Sequence, residues 1–213
     1  MDRNLGATSA TKGDVGALGL LYQWGRKDPF LSSSSISESI EAKSTIIWPS
    51  AVDSNSDNGT ISFAIANPTV FIGENMGNSD WYYTGTSSTD NTRWKSTKTI
   101  YDPCPAGWRV PDGGDNGVWE KSGFDDTTYD RINKGMSFSI SSSSTTWYPA
   151  SGFRSAILGY FNLVGTDGNY WSVTPYNWHS YYAYCLRFNN NGNVYPSNRY
   201  YRACGMSVRC LKE

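Results

Sequence analysis

Glycine, proline, asparagine and serine interrupt this chain so often that its β-prone stretches stay short. That punctuation constrains the fold more than any other feature, because it leaves room for brief strands joined by turns and for little regular helix. The runs Met136–Ile140, Thr146–Tyr148, Tyr170–Val173, Tyr182–Phe188 and Met206–Leu211 predict strands. Helical spacing is scarce. Ser35–Ile47 carries Ile36, Ile40, Ile46 and Ile47 with Glu38, Glu41 and Lys43 between them, which fits a short amphipathic helix. Asn116–Ser122 predicts about two helical turns, opened by the Asp112-Gly113-Gly114-Asp115 turn and closed by Gly123. Residues 49–100 are polar but hold the apolar anchors Ile61–Ile65, Val70–Ile72 and Trp81–Tyr83, so they predict an ordered excursion. No repeat period is present, and residues 1–213 read as one α+β domain with few short helices and long irregular loops.

Charge excludes several function classes. The formal net charge is −1 and charged residues make up 17% of the chain, against roughly 25% in an average globular protein. A nucleic-acid binder needs a basic stripe to displace counterions, and none exists. No apolar run is long enough to span a bilayer, and Met1-Asp2-Arg3-Asn4 opens no hydrophobic leader, so no membrane insertion is expected. Cysteines stand at 104, 185, 204 and 210 without C-x-x-C spacing, and His179 is the lone histidine, so a structural metal cluster is not expected. Four cysteines allow three complete pairings, and spacing does not choose among them. Aromatic, Ser- and Asn-rich composition with few charges leans toward an extracellular setting in which a disulfide persists.

Catalytic signals are weak. His179 has no acid nearby in sequence to orient it as a base. Asp53-Ser54-Asn55-Ser56-Asp57-Asn58-Gly59 begins like a calcium loop, but glycine comes one residue late and Ala64 stands where a bidentate Glu is needed, so a polar turn is the better reading. Asp112, Asp115, Asp125, Asp126 and Asp130 could include a carboxylate pair of the glycosidase kind, though surface loops produce such clusters routinely. Nothing demands an enzyme, and no cofactor is expected.

The last fifth of the chain is unusual. Between Asp167 and Glu213 there is no acidic residue, while residues 169–210 hold eight of the fifteen tyrosines and seven asparagines, with Arg187, Arg199, Arg202 and Arg209. Tyr and Trp give stiff contact area and Asn and Ser adaptable hydrogen bonds, the composition of an antibody combining surface. The other reading is a Tyr/Asn-rich β-hairpin edge, since aromatics favour strands and Asn favours turns. The arginines without acids predict a locally positive region favouring acidic or carbonyl-rich partners.

Four stretches carry a resemblance. Met1-Asp2-Arg3-Asn4-Leu5-Gly6-Ala7-Thr8, Leu21–Phe30 (LYQWGRKDPF), Tyr101–Pro111 (YDPCPAGWRVP) and Gly205-Met206-Ser207-Val208-Arg209-Cys210 together resemble the Fibrobacter succinogenes major paralogous domain, widespread in surface proteins of Bacteroidetes. The motifs span essentially the whole chain. The resemblance implies a C-type-lectin-like fold in which N- and C-terminal strands pair and a long irregular region displays ligand-binding loops. Met206 departs from a more usual Phe but keeps an apolar plug. The same fold serves variable proteins of diversity-generating retroelements, whose C-terminal codons are rewritten at adenines. Pro196–Gly205 is similar to a family stretch of Asn followed by Arg-Ala-Tyr-Gly, which makes Cys204 a rewritten Tyr, and Cys185 reads the same way.

With the composition of the segment, the resemblance implies a non-catalytic ligand-binding module, a receptor binder or adhesin, whose display segment is 176–204. Its contact residues would be Tyr176, Asn177, Trp178, His179, Tyr181, Tyr182, Tyr184, Cys185, Arg187, Asn189, Asn190, Asn193, Tyr195, Asn198, Arg199, Tyr200, Tyr201 and Cys204. Cys104 and Cys210, both in family-like motifs, would form a disulfide, and Trp108 and Trp171 would be core rings. Tyr181, Asn190, Arg199, Tyr200 and Tyr201 would tolerate substitution without loss of stability. Binding would need no calcium, because residues 168–212 offer no carboxylate. The implied partner is a protein or glycan on another cell or surface, met by a larger cell-surface or pilus-tip protein or by a phage tail fibre. A structural pilin or assembly domain, and an enzyme like the formylglycine-generating enzymes of related fold, are the alternatives.

Overall fold

The computed structural model describes residues 1–37, 51–74, 79–83, 90–123, 128–141, 144–157 and 159–213. In chain order the elements are β1 (Leu20–Gln23), β2 (Phe30–Leu31), β3 (Ala51–Asp53), α1 (Ile61–Ala66), β4 (Phe71–Gly73), β5 (Trp108–Arg109), α2 (Val118–Lys121), β6 (Thr128–Asp130), β7 (Gly135–Ser141), β8 (Ser144–Pro149), β9 (Phe153–Arg154) and β10 (Phe161–Asn162). They continue with β11 (Asp167–Pro175), β12 (Tyr182–Asn189), β13 (Val194–Tyr201), β14 (Gly205–Ser207) and β15 (Leu211–Lys212). Among the described residues the architecture is therefore mainly β, with two short α-helices and long loops.

The principal sheet has the strand order β10-β9-β14-β11-β12-β13, with β1 paired to β14 and β2 to β1. The chain's two ends meet in it. β1 runs antiparallel to β14 through Leu21↔Ser207, Tyr22↔Met206 and Gln23↔Gly205. Beyond that ladder the Leu5 amide donates to the Val208 carbonyl at 2.8 Å, and the Met1 ammonium donates to the Cys210 carbonyl at 2.7 Å. β5 and β15 pair antiparallel, and the Cys104–Cys210 disulfide joins the same two segments with Cα atoms 5.9 Å apart. The disulfide that the resemblance implied is thus present.

β11 is buried from Asp167 to Val173, so both faces of the sheet carry a core there. Strand alternation sorts its side chains: Tyr170 joins a cluster with Trp119, Phe138, Leu186 and Phe188, and Trp171 one with Trp24, Trp81, Trp94 and Cys185. The tryptophans explain where much of the ring-rich composition goes. Trp24, Trp81, Trp94 and Trp171 are all but fully buried, and each indole N–H reaches a backbone carbonyl, of Ser172, Trp24, Tyr101 and Tyr22 respectively, at 2.8–2.9 Å. A buried indole that keeps its hydrogen bond carries no desolvation penalty against its packing gain. Trp108 differs from expectation: it is half-buried against the core rather than within it, because the turn at Gly107, with φ +76°, brings it to the two-stranded β5–β15 pair at the surface.

The predicted strands at 136–140, 146–148, 170–173 and 182–188 lie within β7, β8, β11 and β12. Met206–Leu211 is instead divided between β14 and β15, at the point where the chain leaves one sheet for the other. The Asn116–Ser122 helix is present as α2, but as four residues between Gly117 and Ser122 as its caps, shorter than the two turns expected. The helix expected over Ser35–Ile47 falls mostly on residues 38–50, outside the described residues. α1, which the apolar spacing did not announce, starts at Thr60, whose Oγ1 accepts the Phe63 amide at 3.1 Å. β13, which contains Pro196, Ser197 and Asn198, was not among the expected strand runs. Pro196 is tolerated because β13 is the last strand of the sheet and Pro196 and Ser197 fall in the register shift between the Cys185↔Asn198 and Arg187↔Tyr195 pairs.

Candidate ligand-binding face

β12 and β13 form an antiparallel hairpin at the sheet edge, closed by Asn190-Asn191-Gly192-Asn193. Asn189 organises that turn: its Oδ1 accepts the amides of Asn191 and Asn193 at 3.0 and 3.2 Å, and Gly192 supplies a left-handed residue at φ +86°. The hairpin-edge reading of this segment is thus the one the strand pairing bears out.

Register decides which rings share a face. Tyr182 lies opposite Tyr201 and Tyr184 opposite Arg199, while Ala183 and Cys185, facing the other way, enter the core. The Tyr182 and Tyr201 rings stack at 4.8 Å with an interplanar angle of 18°. The chain then folds back on them, because the Tyr176 amide donates to the Tyr182 carbonyl and the Tyr182 amide to the His179 carbonyl, both at 3.1 Å. That return places Tyr176 edge-on to Tyr184 at 5.3 Å, with the Arg199 guanidinium 5.0 Å from the Tyr176 ring centroid. His179 stacks between Tyr176 and Tyr181, at 6.3 and 5.7 Å. Trp178, at the tip of the loop beside exposed Asn177, is 81% exposed. The result is a continuous aromatic platform with one guanidinium and one indole standing free of the core.

The platform rests on residues outside the segment. Gly113 and Gly114 lie beneath Tyr184: a Cβ on Gly113 would collide with Ser172 Oγ, and one on Gly114 would come within 3.1 Å of the Tyr184 ring. Thr174 Oγ1 accepts the Gly113 amide at 3.0 Å, and Glu120 on α2 accepts the Ser197 hydroxyl at 2.8 Å. Desolvation and then the Asp115 charge raise the Tyr184 phenol above its ordinary value. Desolvation and then the hydrogen bond with Tyr201 do the same for Tyr182. Both hydroxyls stay protonated donors at neutral pH. The signal in the sequence was the Asp-Gly-Gly-Asp turn, but its position under the platform is set by tertiary packing.

The remaining expected contact residues separate from this face. Asn189, Asn190 and Asn193 lie at the hairpin turn, roughly 20 Å along the strand from Tyr182. Arg187 pairs with Asp167 at 2.8 Å and lies 5.6 Å from the exposed Tyr195 ring. Asn198 and Tyr200 point to the opposite face, where Asn198 Nδ2 approaches Cys185 Sγ at 3.7 Å and Tyr200 packs edge-to-face on Phe153 at 4.9 Å.

Two expectations are corrected outright. Cys185 and Cys204 are 0% and 1% exposed, so neither thiol is presented on the platform. Burial pushes the Cys185 thiol up to about 12 and raises Cys204 as well, which keeps both protonated. The local positive charge also dissolves. Arg202 is buried against Asp80, Arg209 is buried with its guanidinium 3.8 Å from the Tyr148 ring centroid, and Arg187 has Asp167, which leaves Arg199 on the platform. Counting charges along the segment missed acids supplied by other parts of the fold.

The other candidates are turn-formers. Asp112 accepts from Ser96 and Arg109; desolvation works against ionisation, and these bonds outweigh it, so its carboxyl lies below the usual range. Asp130 is held low mainly by the Asn133 amide and side chain. Asn55 Oδ1 caps the turn at Asp57 and Asn58, and Asp125 and Asp126 lie outside the described residues. Among the described residues no group of His, Cys, Asp and Glu could hold a metal ion.

The division of faces has a measurable consequence. Tyr181→Ala and Arg199→Ala are expected to leave stability within about 0.5 kcal/mol. Tyr200→Ala, which strips a ring from Phe153, is expected to cost about 2 kcal/mol. Urea midpoints of the variants check this; equal midpoints would place Tyr200 with the exposed set.

No family model, curated protein or solved structure matches the chain.

Proposed function

We propose that the chain is a non-catalytic binding module that engages a protein or glycan surface through the aromatic platform of Tyr176, Trp178, His179, Tyr181, Tyr182, Tyr184, Arg199 and Tyr201. The observation that carries this reading is the stacked, outward-facing set of rings on the sheet-edge hairpin, with Trp178 81% exposed and Arg199 over Tyr176. Trp, Tyr and Arg in one contiguous patch are the side chains that dominate binding hot spots on macromolecular surfaces. In this reading the fold is C-type-lectin-like and the chain resembles the Fibrobacter succinogenes major paralogous domain. The pairing of β1 with β14 and the Met1 and Leu5 bonds to the C-terminal segment support it. Rewriting of exposed codons by a diversity-generating retroelement is the proposed source of the Tyr/Asn bias, confined to the platform and turn and excluding the buried thiols. The disulfide agrees with an extracellular or virion setting, as part of a larger surface or fibre protein. No helix among the described residues is long and apolar enough to cross a membrane.

A ligand selected from a glycan array or a displayed surface-protein library tests the assignment. Trp178→Ala and Tyr182→Ala are each expected to speed dissociation, weakening binding by roughly thirtyfold or more. Full affinity in both variants would rule the platform out.

A further inference from the structure

We infer that the opposite face of the same hairpin carries a second site, a cleft that takes a primary ammonium group on an apolar stem, as on a lysine side chain. The inference does not rest on the platform reading. The cleft has a volume of about 240 Å³, with Glu74, Phe153, Ser155, Ile157, Asn162 and Tyr200 among the residues lining it. That lies just below the range of drug-sized ligand sites, roughly 300–1,000 Å³, and suits a single side chain.

Glu74 sets the sign of the ligand. It follows β4, and its amide donates to the Ala156 carbonyl at 2.8 Å, which holds it across from the loop after β9. Its Oε2 is buried and accepts no hydrogen bond from the described residues, nor does Glu74 pair with any described Lys or Arg. Arg154, the nearest cation in the β9 sequence, alternates to the other face. There its Nε and Nη1 reach the Leu31 and Gly159 carbonyls and its guanidinium lies 4.0 Å from the Phe161 ring centroid. A desolvated carboxylate oxygen without a donor is costly, and a ligand that brings N–H donors and positive charge relieves that cost.

The walls fit the same ligand. Phe153 and Tyr200 meet edge-to-face at 4.9 Å and offer ring surface to a cation beside the carboxylate. Ile157, 57% exposed at the mouth, offers apolar surface for the methylene stem. Asn162 and Ser155 add neutral acceptors. An ammonium with three donors can use a carboxylate and neutral oxygens together, whereas an anion would meet Glu74.

The test titrates the whole chain with Nα-acetyl-lysine methylamide and with its neutral isostere, Nα-acetyl-norleucine methylamide. Binding is followed by NMR on the Phe153 and Tyr200 rings and the Ala156 amide. The expected result is saturable binding of the lysine compound at least tenfold tighter than the norleucine compound, weakened by added salt. Glu74→Gln, which keeps the shape of the side chain, should abolish the difference. Ile157→Ala, at an exposed position, should weaken the lysine compound severalfold with melting unchanged. Trp178→Ala, at the exposed tip of the platform loop and outside the cleft lining, should leave it unaffected, which separates failure here from failure of the platform. Equal binding of the two compounds, an unchanged preference in Glu74→Gln, or no saturable shift would overturn the inference.

Discussion

Replacing both Cys104 and Cys210 with Ser is expected to cost about 4–5 kcal/mol, the closure entropy released to an unfolded chain when a loop with a sequence separation of 106 is opened. For a chain of 213 residues that lowers the melting temperature by roughly 10–18 °C. Asp102 prepares the geometry: its carboxylate accepts the Cys104 amide at 2.8 Å, the Val110 amide at 3.0 Å and Lys98 Nζ at 3.2 Å. The loop therefore keeps its shape when the bond is absent, and the penalty falls on the denatured ensemble. Urea unfolding of the double variant checks the figure; a loss below about 1 kcal/mol would mean the unfolded chain is already compact across this span.

Asp80→Asn is expected to cost about 3–5 kcal/mol, because it removes the anion between buried guanidiniums while leaving their positions intact. Asp80, Arg93 and Arg202 have fully buried side chains, with Asp80 Oδ2 at 3.3 Å from Arg93 and 3.7 Å from Arg202. The cations are spread over rings, Arg93 at 4.4 Å from the Trp81 centroid and Arg202 at 4.2 Å from that of Trp24, and neither can reach solvent without unpacking the tryptophan core. The effect also reaches the platform. Arg202 Nε holds the Tyr182 carbonyl at 3.0 Å and its Nη2 holds Asn91 Oδ1 at 2.7 Å. Asp80→Asn should therefore broaden the NMR signals of the Tyr182 and Tyr201 rings before it unfolds the protein. Unchanged stability would show that the pair of arginines is balanced by Asp90 instead, 3.8 Å from Arg93.

Periodicity and punctuation located β7, β8, β11, β12 and α2, since each owes its form to alternation or to caps within a few residues. β13 was legible only as part of a hairpin edge and its bounds were not, because Pro196, Ser197 and Asn198 are turn-formers whose penalty falls at a sheet edge, and edge position is a property of topology. The display segment was recognisable by its Tyr and Asn content, yet composition has no sense of side. Alternation sends Tyr182 and Tyr184 outward, Cys185 into the core and Tyr200 toward Phe153. The arginine count misled for a related reason: Asp80 and Asp167 meet Arg202 and Arg187 across more than the local sequence. Glu74 drew no attention because an orphaned carboxylate oxygen is visible only once its surroundings are folded.

Strand β14 touches β1, β9 and β11, and so joins the parts of the principal sheet to one another. Its residues, Gly205–Ser207, follow every one of those partners in the chain. During synthesis, then, the earlier strands emerge without the piece that unites them, and native contacts of such long sequence separation form slowly even afterwards. The hairpins β7–β8 and β11–β12–β13 are complete before β14, so the step that closes the principal sheet comes after nearly the whole chain has been made.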